Sequence, residues 1–402
     1  MHFVFASVPA TGHVNPTLPV VAELVRAGHR VTYGTGEQWR GAVEAAGATL
    51  LPLATHLPGP PPTTGSAPDP ALFREALDTM IAGAREDFGT LEALLRRDPA
   101  EALCYDTMTE AGRMAAERTG TRSIALHPSH ASNEEFKLLE RISPGGADHP
   151  ALGLLGALQA QLAGLAAECG VSAPDLGRPA EHNVVFLPRE FQYEGATFDE
   201  RFRFVGPSLG ARGEDTSWWP AGDGPVLFIS LGTAFNARPD FFRLCLEAFG
   251  NTRWQVAMAI GEHVTAEDLG PVPDNVEIRP YFPQPAVLRR ATVFLSHTGM
   301  GSTMESLHFG VPLVAVPQMP EQAANARRVV ELGLGVELPA TGLDAAVLRD
   351  TVDEVAADPA IGARTAAMRD VVRATGGPPA AAEAIERFAR APEPTGPVAT
   401  PG

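Results

Sequence analysis

"TVFLSHTGMGSTMESLHFGVPLVAVP", residues 292–317, carries the pattern that decides the fold. The run "TVFLS" is short and apolar, as a strand buried on both faces requires. A glycine turn follows, then a helix start, then a second apolar run, "PLVAVP", residues 312–317. Strand, turn, helix, strand at this spacing predicts a parallel pair joined by a right-handed crossover. The turn itself, "HTGMGSTMES", residues 297–306, has two readings. Ser302 and Glu305 stand at the spacing of a capping box, in which each side chain closes a backbone N–H at a helix start. A glycine-rich entry to a helix also presents free N–H groups and the positive end of a dipole, which suits a phosphate. These ten residues alone leave both readings open.

The same pattern recurs on either side. Downstream of residue 224, "PVLFISLGT" (225–233), "WQVAMAIG" (254–261) and "NVEIRPY" (275–281) read as strands, with "RPDFFRLCLEAFG" (238–250) as a helix. Upstream, "HFVFASV" (2–8), "RVTYGT" (30–35), "ATLLPLA" (48–54), "EALCYD" (101–106), "RSIALH" (122–127) and "NVVFLP" (183–188) read as strands. A loop, "PATGHVN" (9–15), leads into a helix over "PTLPVVAELVRAGH" (16–29), with Asn15 as its N-cap, Pro16 first and Gly28 near its end. Between the two series, "GPSLGARGEDTSWWPAGDGP" (206–225) is rich in glycine, proline and charge and reads as a linker. The expected class is therefore α/β: two Rossmann-like parallel-sheet domains facing each other across a cleft. The expected units are 1–207, a linker 208–222, 223–375, a C-terminal helix 376–391 crossing back to the first domain, and a disordered tail 392–402. Ligands bind beyond the carboxyl ends of such strands. "SVPATGH" (7–13), "SLGT" (230–233) and "SHTGMGS" (296–302) all stand there and are expected to converge on one cleft.

Composition narrows the partners. The chain has 402 residues, 45% hydrophobic, with a formal charge of −17, which argues against nucleic acid and anionic membranes as main partners. Three distant cysteines offer neither a disulfide framework nor metal spacing, so a cytoplasmic setting is expected. The start reads as a strand rather than a signal peptide, and no run is long enough to span a membrane.

Two residues at strand ends suggest chemistry. His13 lies in the first loop and Asp106 follows the strand "EALCY". Histidine has the pKa of a general base near neutrality, and a base needs an orienting carboxylate. The alternatives are a packing histidine and a helix-capping aspartate.

"ATGHVNPTLPVVAELVRAGHRVTY" (10–33) together with "YFPQPAVLRRATVFLSHTGMGSTMESLHFGVPLVAVPQMPEQAANARRVVELGLG" (281–335) resembles the nucleotide-sugar-dependent glycosyltransferases that act on small hydrophobic molecules, most closely the bacterial macrolide and antibiotic enzymes. That family has the two-domain GT-B fold. The likeness includes "FDERFRFVGPSL" (198–209) and "ISLGTAFN" (229–236), and fades over about 56–100 and 131–180. It implies His13 as general base and Asp106 as its partner. Tyr281 stands where the family has a base-stacking tryptophan, and Gln284 near base and ribose. His297, Gly301 and Ser302 match the diphosphate turn, Glu305 the ribose carboxylate, and Glu321 and Gln322 the pair that contacts the sugar. Ser230, Gly232 and Thr233 match the loop facing the diphosphate from the other side. Gly12, Phe282, Gly299 and Met300 are placed on the donor side with them. The acceptor pocket is expected from Leu57, Phe73, Phe88, His127 and Phe136. The resemblance implies an inverting transfer with no metal, a UDP-sugar favoured over a TDP-deoxysugar, a hydrophobic acceptor with a free hydroxyl, and a monomer or homodimer. A phosphorylase fits poorly, since the single lysine, Lys137, lies outside the nucleotide motif. A non-catalytic paralogue should have lost His13 or the diphosphate turn. A dinucleotide oxidoreductase should carry G-x-G-x-x-G after its first strand, which "SVPATGHVNP" does not.

Overall fold

The computed structural model describes residues 1–55, 70–142, 150–173, 175, 179–233 and 236–390, with the side chains of 70–73 and 150–155 excepted. The first half runs β1 (His2–Ala6), α1 (Thr11–Val14), α2 (Leu18–Arg26), β2 (Arg30–Thr35), α3 (Arg40–Ala45), β3 (Thr49–Pro52), α4 (Pro70–Arg97), β4 (Ala102–Asp106), α5 (Glu110–Thr119), β5 (Ser123–His127), α6 (Leu138–Ile142), α7 (Pro150–Cys169), β6 (Asn183–Val185) and β7 (Phe202–Phe204). The second runs β8 (Val226–Ser230), α8 (Pro239–Phe249), β9 (Gln255–Ala259), α9 (Ala266–Leu269), β10 (Val276–Arg279), α10 (Gln284–Leu288), β11 (Ala291–Ser296), α11 (Met300–Phe309), β12 (Leu313–Ala315), α12 (Pro320–Glu331), β13 (Gly335–Glu337), α13 (Ala345–Ala357), α14 (Pro359–Ala374) and α15 (Gly377–Arg390).

Each half is one sheet. The first has the order β3-β2-β1-β4-β5-β6-β7 and the second β10-β9-β8-β11-β12-β13, with every pairing parallel. The apolar runs explain this: β1, β4 and β8 are buried at every residue, because helices cover both faces. In both sheets the strand order reverses beside the first strand, between β1 and β4 and between β8 and β11. Those reversals leave a crevice at the strands' carboxyl ends, where doubly wound sheets bind ligands.

The halves share packing. One apolar cluster includes Val185, Phe191 and Tyr193 from the first and Phe228, Phe294 and Met304 from the second. Tyr193 Oη donates to Ala324 O at 2.7 Å, and Arg328 on α12 donates to the carbonyls of Phe191 at 2.9 Å and Glu190 at 2.9 Å. α15 returns to the first half, where Ala381, Ile385 and Phe388 join the cluster of Val20, Val21 and Leu24 on α2.

Several local expectations change. The linker 208–222 is largely exposed but anchored at several points. Leu209 and Trp218 are buried, Trp218 Nε1 donates to Glu277 Oε2 at 2.8 Å, and Arg289 donates to Gly213 O. Asn15 does not cap α2. It continues the turn of α1, with its N–H on Thr11 O, and Thr17 is the N-cap. Thr17 is drawn inward because Oγ1 donates to Val14 O at 2.9 Å and meets Tyr33 Oη at 2.5 Å. The capping box at Ser302 and Glu305 does not form: α11 begins at Met300 with Gly299 as N-cap, so Ser302 already lies inside the first turn. The tail 392–402 lies outside the described residues.

Candidate active site

The first crevice holds a histidine–carboxylate pair. α1 winds immediately after β1 and puts His13 opposite the end of β4. His13 Nδ1 lies 2.7 Å from Asp106 Oδ2. Asp106 is fully buried, and its other oxygen accepts the N–H of Met108 at 2.8 Å. With Asp106 as acceptor, the Nδ1 proton points at the carboxylate and Nε2 is left as the basic nitrogen. Burial pulls the imidazole down, but the charge and bond of Asp106 and the charge of Glu321 outweigh it, so His13 is held above the ordinary histidine value. Glu321 belongs to α12, in the other half, and its Oε1 accepts from Ser129 Oγ at 2.7 Å. The second half therefore supplies a carboxylate beside the first half's histidine. Gln322, next along α12, is buried with Oε1 accepting the N–H of Gln318 at 2.8 Å.

The second crevice is a helix start. No side chain caps α11, so the first-turn N–H groups stay available. His297 precedes them, nearly buried, and burial lowers its pKa to about 4, so the ring is neutral at physiological pH. Its Nδ1 has no hydrogen-bond partner within the described chain. Two glycines make room for the ring: a Cβ would lie 2.4 Å from Nε2 at Gly232 and 2.5 Å from it at Gly299. Thr298 holds the turn in a left-handed conformation, φ 59°, rarely adopted by a β-branched residue. Asn325 Nδ2 donates to its carbonyl at 3.0 Å, and its Oγ1 donates to Gln322 O at 3.0 Å. Ser230 Oγ accepts the N–H of Gly232 at 3.2 Å, which shapes the facing loop, where Thr233 is exposed.

The two crevices open onto one cavity of about 340 Å³. Gly12 and Thr11 line it from the first half, with Ser230, Gly232, Thr233, Tyr281, Phe282, Gln284, His297, Gly299, Met300, Gly301, Ser302 and Glu305 from the second. Tyr281 is 49% exposed and offers a flat ring, whereas Phe282 sits edge-on to Phe228 at 6.2 Å. Glu305 accepts from Gln284 Nε2 at 2.7 Å and from Arg212 Nη2 at 2.8 Å. Arg212 lies in the stretch read as linker, which is why sequence reasoning passed it over.

A Cβ built on Gly301 meets nothing within 4 Å, although Gly301 lines the cavity. Gly301→Val should therefore leave the melting temperature near wild type while filling space before the helix start. UDP affinity measured by calorimetry should fall roughly tenfold or more, the cost of a lost charge-assisted bond. Unchanged affinity would remove this turn from the binding surface.

The acceptor expectations fare differently. Phe88 is buried on α4 among Leu91, Leu95 and Leu165. Phe136 is buried and stacks on Tyr193 at 5.7 Å. His127 is buried with Nε2 on Asn183 Oδ1 at 3.0 Å. All three are buried and none lines this cavity, and His13, Asp106, Glu321 and Gln322 also lie off its wall. Leu57 and the side chain of Phe73 lie outside the described residues. Met108, two residues past Asp106, is 50% exposed and went unremarked in the sequence.

Residues 243–388 match the family described as erythromycin biosynthesis protein CIII-like, C-terminal domain. The NDP-glycosyltransferase YjiC of Bacillus licheniformis is 39% identical over 96% of this chain and 97% of its own length. The chain belongs to the macrolide and antibiotic glycosyltransferases. The demethyllactenocin mycarosyltransferase of Streptomyces fradiae is 35% identical over 96% of this chain and 86% of its own. The crystal structure of CalG4, the calicheamicin glycosyltransferase, superimposes with a TM-score of 0.85 at 35% identity, covering 98% of this chain and 99% of that one. This glycosyltransferase thus has the GT-B architecture that its two sheets and facing crevices imply. Among the described residues, no helix is long and apolar enough to cross a membrane.

Proposed function

We propose that the enzyme transfers a hexose from a nucleotide diphosphate donor, UDP-glucose before others, to a hydroxyl of a small hydrophobic natural product such as a macrolide or polyketide, with inversion. The observation that supports this reading is the His13–Asp106 pair on the turn whose Thr11 and Gly12 line the same cavity as the uncapped start of α11. The acceptor hydroxyl, a weak nucleophile, loses its proton to His13 Nε2 as it attacks the anomeric carbon. Asp106 holds the ring and stabilises the imidazolium that forms. Base assistance of this kind supplies ~10²–10⁴-fold. The C–O bond to the diphosphate breaks on the opposite face. Charge gathering on the leaving group is met by the first-turn N–H groups of α11 and by His297 as a neutral donor, fixed dipoles in a largely buried site. The carboxylate of Glu321 and the amide nitrogen of Gln322, whose oxygen is already engaged, take the sugar hydroxyls. Glu305 takes the ribose. Residues 1–207 make the acceptor domain and 223–375 the donor domain in this reading.

Mass-spectrometric detection of products from pooled hydrophobic acceptors, run separately with UDP-glucose and TDP-linked sugars, tests it. A hexose adduct formed from UDP-glucose is expected. Adducts from TDP-deoxysugars alone would replace the donor assignment. Since charge compensation rests on N–H dipoles and His297, saturating chelator should leave turnover unchanged, and a strict need for Mg²⁺ or Mn²⁺ would contradict that part.

A further inference from the structure

Glu305 is nearly buried, at 8% exposure, and both of its oxygens are already in use. Oε1 accepts from Arg212 Nη2 at 2.8 Å and Oε2 from Gln284 Nε2 at 2.7 Å. Arg212 comes from the linker between the halves, with a side chain 44% exposed and backbone neighbours that are held on either side. Gly210, φ +55°, lies so close to α2 that a Cβ there would sit 2.8 Å from Pro19 Cβ. Leu209 is buried beside it, and Gly213 O accepts from Arg289 on the far side. Arg212 is also the one lysine or arginine on the cavity wall among the described residues.

We propose that Arg212 is a positioning residue that sets the tolerance of the donor site for 2′-deoxyribose, by keeping Glu305 satisfied whether or not a 2′-hydroxyl is present. The proposal rests on the reading of Glu305 as the ribose acceptor. A site rejects a ligand that lacks a hydroxyl mainly when the loss strands a buried polar partner. A carboxylate has about four lone-pair positions. Two are taken here, so ribose hydroxyls can still bond. When one hydroxyl is missing, neither oxygen is left without a donor. The site therefore treats uridine and thymidine diphosphates with little distinction at the ribose. If Arg212 were absent, Oε1 would depend on the ligand for its donor, and the deoxy form would be penalised.

The charge of Arg212 also attracts any diphosphate, so its removal should weaken all nucleotides. The ratio of two affinities separates the roles. UDP and dUDP differ only in the 2′-hydroxyl, and TDP differs from dUDP only in a methyl group. Calorimetry on the full chain should give wild-type affinities for UDP and dUDP within about threefold. In Arg212→Met the dUDP/UDP ratio of dissociation constants should rise to about tenfold. Arg212→Lys, which restores a charged donor, should bring the ratio back towards wild type, and TDP should follow dUDP throughout. An equal loss for UDP and dUDP in Arg212→Met would overturn the proposal and leave only a charge effect. A wild-type ratio already near tenfold would overturn it without any variant, which covers the case of a variant that does not fold. If Glu305→Gln binds both nucleotides as wild type does, the ribose reading itself fails. If Glu305→Gln weakens both while the Arg212→Met ratio stays flat, only the role of Arg212 fails.

Discussion

His13→Ala should bring sugar transfer close to background, a loss of ~10²–10⁴-fold in kcat, while UDP affinity stays within a few-fold of wild type. The separation follows from where the residue sits. His13 belongs to α1, on the crevice of the first sheet, and its ring is committed to Asp106. The α11 turn and Glu305 lie on the other sheet. In the proposed mechanism alanine removes the proton acceptor without touching a group on the nucleotide side. The measurement is initial rate by product detection beside calorimetry with UDP. A variant with near-normal kcat would withdraw His13 as the base.

Asp106→Asn should cost nearly as much, roughly 10²–10⁴-fold, although it removes no volume. The reason is directional. Asp106 Oδ1 accepts the backbone N–H of Met108 at 2.8 Å. An asparagine keeps that bond only with its carbonyl oxygen there, which turns its NH₂ towards His13 Nδ1. The ring must then carry its proton on Nε2, the nitrogen that has to accept one. The pH profile gives a second signature. His13 lies above the ordinary histidine value because the Asp106 charge and bond and the Glu321 charge outweigh burial. The base is active when neutral, so kcat/KM of the wild type should rise with pH through an apparent pKa above 6.5. Losing Asp106 lowers that pKa, so the rising limb should move to lower pH while the plateau falls. Glu321→Gln should move the limb the same way. A limb that moves to higher pH in either variant would contradict the electrostatic account.

The sequence exposes most of the frame and only part of the site, for reasons visible at single elements. β1, β4, β5 and β8 are covered on both faces, so they appear as unbroken apolar runs. β7 and β13 span three residues each, too few to show a period. The helical turn around His13 has four residues and no side-chain cap, so it reads as loop. Ser302 and Glu305 mislead for the opposite reason: their spacing suits a cap, but α11 starts at Met300 and Glu305 is held by Arg212 and Gln284 instead. Motif residues on the glycine turn are legible because N–H groups, glycine and histidine must lie close together in the chain to make the turn. Arg212 is not, because its partner is ninety-three residues away and the glycines and prolines around it suggest slack. Phe88 and Phe136 are apolar letters that join buried clusters, and their letters alone do not separate core from pocket.

The anomeric configuration of the product is the most direct measure of the central claim, that one displacement runs across the cavity from the His13 side to the α11 side. Proton NMR of the glycoside made from UDP-α-D-glucose reads it from the coupling between H1 and H2. The account predicts a β-glycoside, with the large coupling of two axial protons. An α-glycoside would contradict a single base-assisted displacement and require either a covalent intermediate or attack from the leaving-group side.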